Sequence, residues 1–501
     1  MSNYNDVHIN VDKRDATEVV YKPTTTTDIG DGAFNKSFQS LKPENETVPK
    51  SPLFLYVIAF TGDLLAFVAG VGFSWTSPVL PKLHGPDSPL STSVDASQES
   101  IIAAILSVGA AIGPFVFGFL ADKIGRKKTL LTVALPLVAG YAILAFTGSV
   151  KMYYLARLLC GMGNGGVFTV LTMYTGEITQ EHNRGKFSCL IGLFVTFGLL
   201  YPFAIGPMLS VKLFCLSCLV PLTVFLVLFT VFSPETPGFL IMNDDVDEAE
   251  NALAKLRGKS KKEVRAEMQE IQKLIESQRH DKGGLVVLFR TNGTRRAFVV
   301  GAGLLIIQQV SGINAVTGFL ESIFAATGSS ISPQIATTLI GSIQVVTVFV
   351  TSSVIEKLGR KVLLLLSTVG SAVSIIFLGL YFHLRKHEFS LLAYFWWLPI
   401  VCLLLYIVSF NLGIGPVPWT VLSEIFPSNV KSSATALASA TCFSTSFVVT
   451  MAFPLLSEMI GMAQCFWLFG LCCVLGIIFI YFVVPETKGK TVTEIQQILS
   501  K

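Results

Sequence analysis

The sequence DKIGRK at residues 122–127 returns in the second half of the chain as EKLGRK at residues 356–361, and this repeat indicates how the chain is divided. Two more motifs recur in the same order, an acid followed seven residues later by a base, and a Pro-Glu-Thr triplet. They are Glu177 with Arg184 and then Glu424 with Lys431, and PETP at 234–237 and then PETK at 485–488. Three matched pairs in one order predict that the chain is built from two related halves.

The composition is typical of a protein that lies in a membrane. Of the 501 residues, 51% are hydrophobic and only 14% are charged, and the mean hydropathy is +0.63. Soluble globular proteins carry about 25% charged residues. We therefore expect an integral membrane protein whose surroundings are the lipid bilayer. The net charge of +4 is small and gives no reason to expect a nucleic-acid partner.

A helix needs about 20 apolar residues to cross a bilayer, and the chain contains twelve such segments. The predicted spans are 53–75, 101–121, 129–148, 153–176, 187–209, 212–232, 297–325, 334–355, 362–383, 391–421, 432–455 and 462–484. The predicted fold class is an all-α integral membrane protein with twelve transmembrane helices in two six-helix bundles. Paired repeats with a site at their interface are the architecture of secondary transporters.

The charged stretch between the sixth and seventh spans predicts a small helical domain. The predicted organisation has five parts: a tail at 1–52, a bundle at 53–232, a helical linker domain at 233–296, a second bundle at 297–484 and a tail at 485–501. Basic residues concentrate in the linker and in the loops after spans 2, 4 and 8, and basic loops stay on the cytoplasmic side of a membrane. We therefore expect the linker and both termini in the cytoplasm.

The sequence shows no arrangement of residues that would support covalent chemistry. The six histidines lie in tails, loops or span ends, and no Ser/His/Asp or Cys/His constellation is visible. Cys215 and Cys218 have CxxC spacing, but no second pair or histidine cluster accompanies them. We expect no enzyme activity, no metal and no cofactor.

The polar stretch QQVSGIN at 308–314 stands inside an apolar run that is long enough to cross the bilayer. On one continuous helix Gln308, Ser311 and Asn314 would share a face, and Gln309 would flank it. Because polar groups are costly in lipid, this face must meet a protein interior or an aqueous cavity. Neutral amides there suit a ligand rich in hydroxyl groups, although hydrogen bonds between helices would also satisfy them without a ligand.

Taken together, the motifs resemble those of the sugar porter family of the major facilitator superfamily, from about residue 53 to the C-terminus. The similarity is carried by GxxxDxxGRK at 118–127, Arg157 with GxG at 161–163, Glu177 with Arg184-Gly185, PETP at 234–237, QQxSGxN at 308–314, GPxPW at 415–419, EIFP at 424–427 and PETKGK at 485–490. The first spans, with SPxLP at 77–81, are most similar to facilitative glucose and trehalose transporters. The resemblance implies the major facilitator fold and transport of a sugar.

The resemblance also implies which residues form a sugar site between the bundles. The amides would hydrogen-bond sugar hydroxyls, the tryptophan would stack on the sugar ring, and the phenylalanine would line the same wall. These residues are Gln308, Gln309, Asn314, Gln344, Phe410 and Trp419. The Gly and Pro residues at 415–418 would break span 10 and let it bend as a gate. For Trp419, core packing is the alternative.

The duplicated loop charges are the candidate gate. They would hold the cytoplasmic helix ends together when the cavity faces outward and part when it faces inward, although ordinary interfacial charge is the alternative. The residues are Asp122, Arg126, Glu177 and Arg184 in the first half and Glu356, Arg360, Glu424 and Lys431 in the second. Arg157, inside span 4, is a functional candidate because charges inside membranes usually are, unless it only snorkels to the outer surface.

Several positions depart from the pattern that the resemblance implies. Gly192, Thr317-Gly318 and Cys442 stand where the family has sugar-binding or aromatic side chains, which predicts a wider pocket. Gly72 stands where proton symporters of the family carry an aspartate facing the span 4 arginine, which favours facilitated diffusion. Asp63, also on span 1, is open to three interpretations: a structural hydrogen bond, a cavity-lining group or a proton-coupling site.

We therefore expect a protein that moves a hexose or trehalose down its gradient across the cell membrane by alternating access, as a monomer and without a cofactor. Two alternatives stay open. The chain could be a sugar sensor that does not transport, or it could be a proton-coupled sugar symporter.

Overall fold

The computed structural model describes residues 53–85, 88–90, 94–279, 288–329, 331–388, 394–490 and 492–500, and for 352–357, among others, only the backbone. Within these ranges every regular element is a helix. Twelve helices are long and apolar enough to cross a membrane, which confirms the predicted number of spans and the all-α fold class. The predicted tail at 1–52 lies outside the described residues.

The spans keep the order that the hydrophobic pattern predicts. Spans 1 to 6 are Leu53–Ser74, Ala96–Ile124, Arg126–Phe146, Val150–Ile178, Glu181–Ile205 and Val211–Phe232. Spans 7 to 12 are Asn292–Gly318, Pro333–Leu358, Arg360–Lys386, Leu398–Ile425, Ser428–Met459 and Met462–Val483. Spans 1 to 6 form the first bundle and spans 7 to 12 the second.

Span 2 begins five residues before the apolar segment does, at Ala96 instead of 101. Its first turn is stabilised by a capping box, in which the Asp95 carboxylate accepts from the backbone N–H of Gln98 at 2.7 Å and the Gln98 side chain accepts from the N–H of Asp95 at 3.3 Å. Side-chain caps therefore set this helix start, and hydrophobicity does not.

Span 7 is not one continuous helix, so the prediction that Gln308, Ser311 and Asn314 share one helical face is wrong. The first helix ends at Val310, and Gly312 adopts φ +90° before a second helix begins at Ile313. A left-handed residue interrupts the 3.6-residue repeat on which the shared face depended. A third short helix, Leu320–Thr327, follows the end of span 7 at Gly318 and extends it.

Span 10 is broken where the glycine and proline cluster predicts. Its first helix ends at Leu412 and its second begins at Val417. Proline removes a backbone donor, and a helix cannot pass through such a cluster without losing hydrogen bonds. The carbonyls of Gly413 and Pro416 accept from the N–H groups of Val417 and Thr420, but the break leaves those of Ile414 and Gly415 in need of donors from elsewhere.

The two bundles meet along two seams. Span 2 packs against span 11, and span 5 packs against span 8. We call the end of the bundles that carries Arg126, Arg184, Arg360 and Lys431 the basic face. The end that carries the short helix Thr76–Leu83 is the opposite face.

At the opposite face, hydrogen bonds join the helix Thr76–Leu83 to span 7 and its extension. The Thr76 hydroxyl donates to the carbonyl of Gly318 at 2.9 Å, and the backbone N–H of Glu321 donates to the Ser77 hydroxyl at 3.0 Å. The Thr338 hydroxyl of span 8 donates to the carbonyl of Phe203 at the end of span 5, at 3.0 Å. These bonds connect the first bundle to the second at this face.

Within the described residues, four short helices with both ends defined lie beyond the spans at the basic face. Three follow span 6, at Pro237–Met242, Val246–Arg257 and Lys261–Arg279, and they bury a small apolar core around Leu253 and Val264. The fourth, Val492–Ser500, follows span 12 and buries Ile495 and Leu499 against the second bundle.

Candidate functional site

The amide of Gln308 closes the break in span 10. Its Nε2 donates to the carbonyl of Ile414 at 2.9 Å and to the carbonyl of Gly415 at 2.7 Å. These carbonyls have lost their helical donors, so Gln308 supplies what the break removes. Gln308 is buried. The side chain therefore has a structural duty, whether or not it also contacts a ligand.

Gln309 and Asn314 form a polar cluster with side chains of span 11. The Asn314 Nδ2 donates to Gln309 Oε1 and to the Ser446 hydroxyl, both at 2.7 Å. The Gln309 Nε2 lies 3.2 Å from both Gln308 Oε1 and Cys442 Sγ. Because Gly312 turns the chain between them, Asn314 reaches Gln309 five residues back, a contact that a straight helix would not make.

The cluster continues into the first bundle through one pair of hydroxyls. Ser107 on span 2 lies 2.9 Å from Ser446 on span 11, oxygen to oxygen, and the pair is buried. A chain of hydrogen bonds thus runs from span 2 through span 11 to the amides of span 7 and on to the break in span 10. We call Gln308, Gln309, Asn314, Cys442 and Ser446 the amide cluster.

The other three residues that the resemblance implied differ in their burial and in whether hydrogen bonds link them to this cluster. Phe410 is buried, and its carbonyl accepts from the N–H of Gly415 at 2.8 Å. Gly415 in turn accepts from Gln308, so Gly415 links Phe410 to the amide cluster. Gln344 is buried on span 8, and no hydrogen bond among the described residues joins it to the amide cluster. Trp419 is 37% exposed on the second half of span 10.

Two hollows lie along span 5, and neither has an amide-cluster residue in its wall. One, of about 380 Å³, is lined by Phe67 of span 1 and by apolar residues of span 5. The other, of about 420 Å³, lies at the seam between the end of span 5 and span 8, beside Thr338 and Ser342.

At the basic face, a carboxylate from the Pro-Glu-Thr motif caps the start of a span in each bundle. Glu235 accepts from the backbone N–H of Arg126 at 2.8 Å and of Lys127 at 3.0 Å. Glu486 accepts from the N–H of Arg360 and of Lys361, both at 3.0 Å. The first N–H groups of a helix have no internal partner, and they carry partial positive charge, so a carboxylate stabilises them.

The pKa of Glu486 shows how strongly this cap favours the carboxylate. Burial raises that pKa, but hydrogen bonds from the N–H groups of Lys488, Arg360, Lys361 and Thr487 lower it more, and the result lies below the usual 4.5. Glycine precedes each capped turn, with φ +95° at Gly125 and +87° at Gly359.

The duplicated acids and bases pair inside each bundle. Arg126 Nε donates to Glu177 Oε1 at 3.0 Å, and Asp122 lies 3.7 Å from the same guanidinium. Arg360 Nη2 donates to Glu424 Oε1 at 2.8 Å. Among the described residues, every ion pair at the basic face of the spans lies within one bundle. The side chain of Glu356 is outside the description, so its predicted part in this network stays a prediction.

Arg184 and Lys431 do not join these pairs. Arg184 Nη2 donates to the carbonyl of Gly176 at the end of span 4, at 3.2 Å. Burial lowers the pKa of Lys431, the positive charge of Arg184 lowers it further, and the carboxylate of Glu424 opposes both. The charge of Arg184 in the first bundle therefore repels that of Lys431 in the second.

Arg157 is buried and does not snorkel, being only 2% exposed. Its Nε donates to the carbonyl of Ile102 on span 2 at 3.1 Å and its Nη1 to the carbonyl of Gly72 on span 1 at 2.8 Å. The guanidinium also lies 5.2 Å from the centre of the Trp75 ring, an arrangement that attracts a cation. Arg157 thus ties three spans of the first bundle together.

The space beside Gly72 is filled by Asn164, whose amide donates to the carbonyl of Ala69 at 3.1 Å. A Cβ atom at position 72 would lie 2.6 Å from the Asn164 Nδ2, so the Asn164 side chain would have to move to admit an acidic side chain there. Asp63 is 1% exposed, and its Oδ2 has no hydrogen-bond partner.

Sequence reasoning missed several of these residues. Glu235 and Glu486 were visible as repeated motif members, yet no role was assigned to them. Ser107 and Ser446 gave no signal, because a single serine in an apolar helix is common and its partner is distant in sequence. Among the described residues no group of three or more His, Cys, Asp or Glu side chains is placed to hold a metal.

Comparison with known proteins agrees with the family resemblance along nearly the whole chain. Residues 48–499 match the family described as "Sugar (and other) transporter". The facilitated trehalose transporter Tret1 of Bombyx mori is 33% identical over 465 residues, which cover 91% of this chain and 89% of that one. The transporter of the same name from Apis mellifera ligustica is 32% identical over 478 residues, covering 92% and 94%.

Solved structures share the arrangement of spans. The inward open xylose transporter XylE from E. coli matches with a TM-score of 0.73 at 24% identity, covering 89% of this chain and 99% of that one. The proton:xylose symporter XylE bound to 6-bromo-6-deoxy-D-glucose matches with a TM-score of 0.70 at 25% identity, covering 90% and 100%.

Proposed function

Because this chain belongs to the sugar transporter family, we propose that it carries a neutral sugar, a hexose or trehalose, down its gradient by alternating access. The observation that carries the proposal is the amide cluster. Gln309, Asn314 and Ser446 present amide and hydroxyl groups that bond mainly to one another. Such groups can exchange these bonds for bonds to sugar hydroxyls at little net cost. The trehalose transporters named above support the choice of sugar.

The position of the cluster supports transport over passive binding. The cluster lies on the second bundle, and among the described residues its side-chain hydrogen bond to the first bundle is made by Ser107. A sugar bound there would contact both bundles, and its exit on either side would require the bundles to rock about this point. Hydrogen bonds across the bundles at the opposite face, together with ion pairs kept inside each bundle at the basic face, support a conformation that is closed at the opposite face.

We further propose that the basic face is cytoplasmic and that the membrane is the cell membrane, since basic loops stay in the cytoplasm. Transport without proton coupling is supported at Gly72, where Asn164 fills the space that an acidic side chain would need. One observation favours proton coupling as a second candidate. The carboxyl group of Asp63 is buried without a partner for Oδ2, and buried acids without partners in transporters are proton-site candidates.

The test is uptake of radiolabelled glucose, fructose and trehalose into proteoliposomes that contain the purified protein and no ion gradient. We expect at least one of these sugars to equilibrate with the internal volume, and the Gln309→Ala variant to lose most of that flux. Gln464→Ala on span 12 is a matched control, because it removes a glutamine outside the amide cluster, and it should transport as the wild type does.

Accumulation above equilibrium when a pH gradient is imposed would identify a proton symporter instead. Binding of a sugar without flux would identify a sensor. If flux survives in Gln309→Ala with an unchanged preference among the three sugars, the site lies elsewhere.

A further inference from the structure

The last carbonyl of span 4 and the last carbonyl of span 10 are capped in the same way by different helices. Arg257 Nη1 donates to the carbonyl of Ile178 at 2.7 Å. Gln496 Nε2 donates to the carbonyl of Ile425 at 2.6 Å. Ile178 and Ile425 are equivalent in the internal repeat, since each follows the repeated glutamate. The two bonds are therefore a pair related by the repeat.

Both donors come from the segment that follows the sixth span of their own bundle. Arg257 ends the helix Val246–Arg257 in the linker, and Gln496 lies on the C-terminal helix Val492–Ser500. The Pro-Glu-Thr glutamates that cap spans 3 and 9 begin the same two segments. Each bundle thus ends in a segment that returns to its own basic face and caps two spans there. Beyond the Pro-Glu-Thr motif the sequences of the two segments are unlike, so no repeated motif marks Arg257 and Gln496 as equivalent.

Helix ends explain why these contacts have an effect. The last four carbonyls of a helix have no internal donor, and side chains that reach them keep the last turn from fraying. Both donors are themselves held in place. Arg257 is 8% exposed, and its Nη2 donates to Glu267 Oε1 at 2.7 Å. The helix that carries Gln496 is fixed by buried Ile495 and Leu499, and Arg296 donates to the carbonyl of Leu499 at 3.0 Å.

In each bundle the residue immediately before the capped carbonyl is the acid of the partly buried ion pair. Glu177 precedes Ile178 and accepts from Arg126, and Glu424 precedes Ile425 and accepts from Arg360. A frayed last turn would move the carboxylate away from its arginine. The capped carbonyl and the ion pair are thus parts of one structure at the basic end of spans 4 and 10.

We propose that Arg257 and Gln496 are positioning residues of the transport cycle. They hold the ends of spans 4 and 10, so that Glu177 and Glu424 keep their ion pairs with Arg126 and Arg360 while the bundles move. The inference rests on the proposed transport function for its kinetic consequence, but not for the contact itself. Neither residue touches the amide cluster. The two therefore act on the rate of the conformational change rather than on the groups that would hold a sugar.

The test uses donor-free and donor-bearing replacements at both positions. Arg257→Met and Gln496→Met keep a long side chain without a donor, and Arg257→Lys and Gln496→Lys restore one. Glu270→Gln is the matched control, because it removes an exposed carboxylate from the helix Lys261–Arg279 and leaves the bonds of Arg257 to Glu267 and Ile178 in place. Sugar exchange at saturating concentration is measured in proteoliposomes, and amide hydrogen exchange of peptides over 172–183 and 417–430 is measured in detergent.

Each methionine variant should exchange sugar about threefold to tenfold more slowly, the effect of losing one hydrogen bond, and its own peptide should lose amide protection. The lysine variants should recover most of the rate, and Glu270→Gln should stay within twofold of the wild type, because it removes no bond of Arg257. Folded methionine variants with wild-type rates and protection would overturn the proposal, as would lysine variants that fail to recover.

If Arg257→Met does not fold, the Gln496 pair alone decides, by the same criteria. If the wild type moves no sugar, the proposed function fails, and the hydrogen-exchange comparison still decides whether the two caps hold the helix ends.

Discussion

Ser107 on span 2 and Ser446 on span 11 join the two bundles through hydroxyl groups 2.9 Å apart, and Ser446 also accepts from Asn314 at 2.7 Å. The contact lies in the seam where span 2 packs against span 11. It is the point at which the amide cluster of the second bundle reaches the first. A change of conformation that opens this seam must break the bond or pass it to a bound sugar.

The first prediction follows from that position. Ser446→Ala removes the bond to Ser107 and one partner of Asn314, so we expect the KM for the transported sugar to rise by about threefold to twentyfold, as one hydrogen bond inside a membrane contributes about 0.6–1.7 kcal/mol. Ser107→Ala should have a smaller effect, because it leaves the Asn314 bond intact. Uptake kinetics of both variants and of the double variant measure the coupling between them. Additive effects would mean that the two hydroxyls do not act together.

The second prediction separates two neighbouring glutamines that the sequence alone treats as equivalent. Gln308→Met leaves two backbone carbonyls of the span 10 break without a donor, so we expect a loss of about 1–3 kcal/mol in stability. Gln309→Met removes a residue whose partners are side chains that can bond to one another. It should lower the melting temperature less and the sugar flux more. The two variants are compared by thermal unfolding in detergent and by uptake, and a reversed order would contradict the assignment.

A structural feature can be predicted from the sequence when residues that are close together in the chain determine it. The twelve spans and the two halves could be predicted, because apolar length and repeated motifs are local. The break in span 10 could be predicted from Gly and Pro. The break in span 7 could have been expected from the glycine in the motif, but a lone glycine inside an apolar helix is often tolerated. Its φ of +90° at Gly312 is decided by tertiary packing.

The contacts of the site could not be read from the sequence, since they join residues far apart in the chain. Gln308 reaches the carbonyls of span 10 more than 100 residues away, and no periodicity encodes such a pairing. The same holds for Arg157, whose partners are backbone carbonyls of two other spans. Every residue has a backbone carbonyl, so the sequence does not show which carbonyl will accept a hydrogen bond from Arg157.

The third prediction concerns Asp63 and the coupling of transport to protons. Asp63 is buried on span 1 with an unpartnered Oδ2, and the space beside Gly72 is filled by Asn164. If transport is facilitative, Asp63→Asn should keep at least half of the wild-type flux. It should not lower the melting temperature, because an amide of the same shape is less costly to bury than a carboxylate. Uptake should then show no dependence on an imposed pH gradient in either protein. Uphill accumulation in the wild type that disappears in Asp63→Asn would reverse this prediction and establish a symporter.

The last prediction concerns Arg184 and Lys431, two bases of different bundles at the basic face. Burial and the charge of Arg184 lower the pKa of Lys431, against the attraction of Glu424. The folded state therefore favours the neutral amine, and its stability rises with pH between the lowered pKa of Lys431 and the usual 10.5. Below that window the repulsion is fully present. Lys431→Met removes the repulsion, so the variant should melt higher than the wild type near neutral pH, and the gap should narrow as the pH is raised. Lys186→Met, which removes an exposed base at the same face, is the control and should show no such narrowing. If the difference in melting temperature from the wild type does not change with pH, or is the same for the two variants, the charge of Arg184 does not affect Lys431.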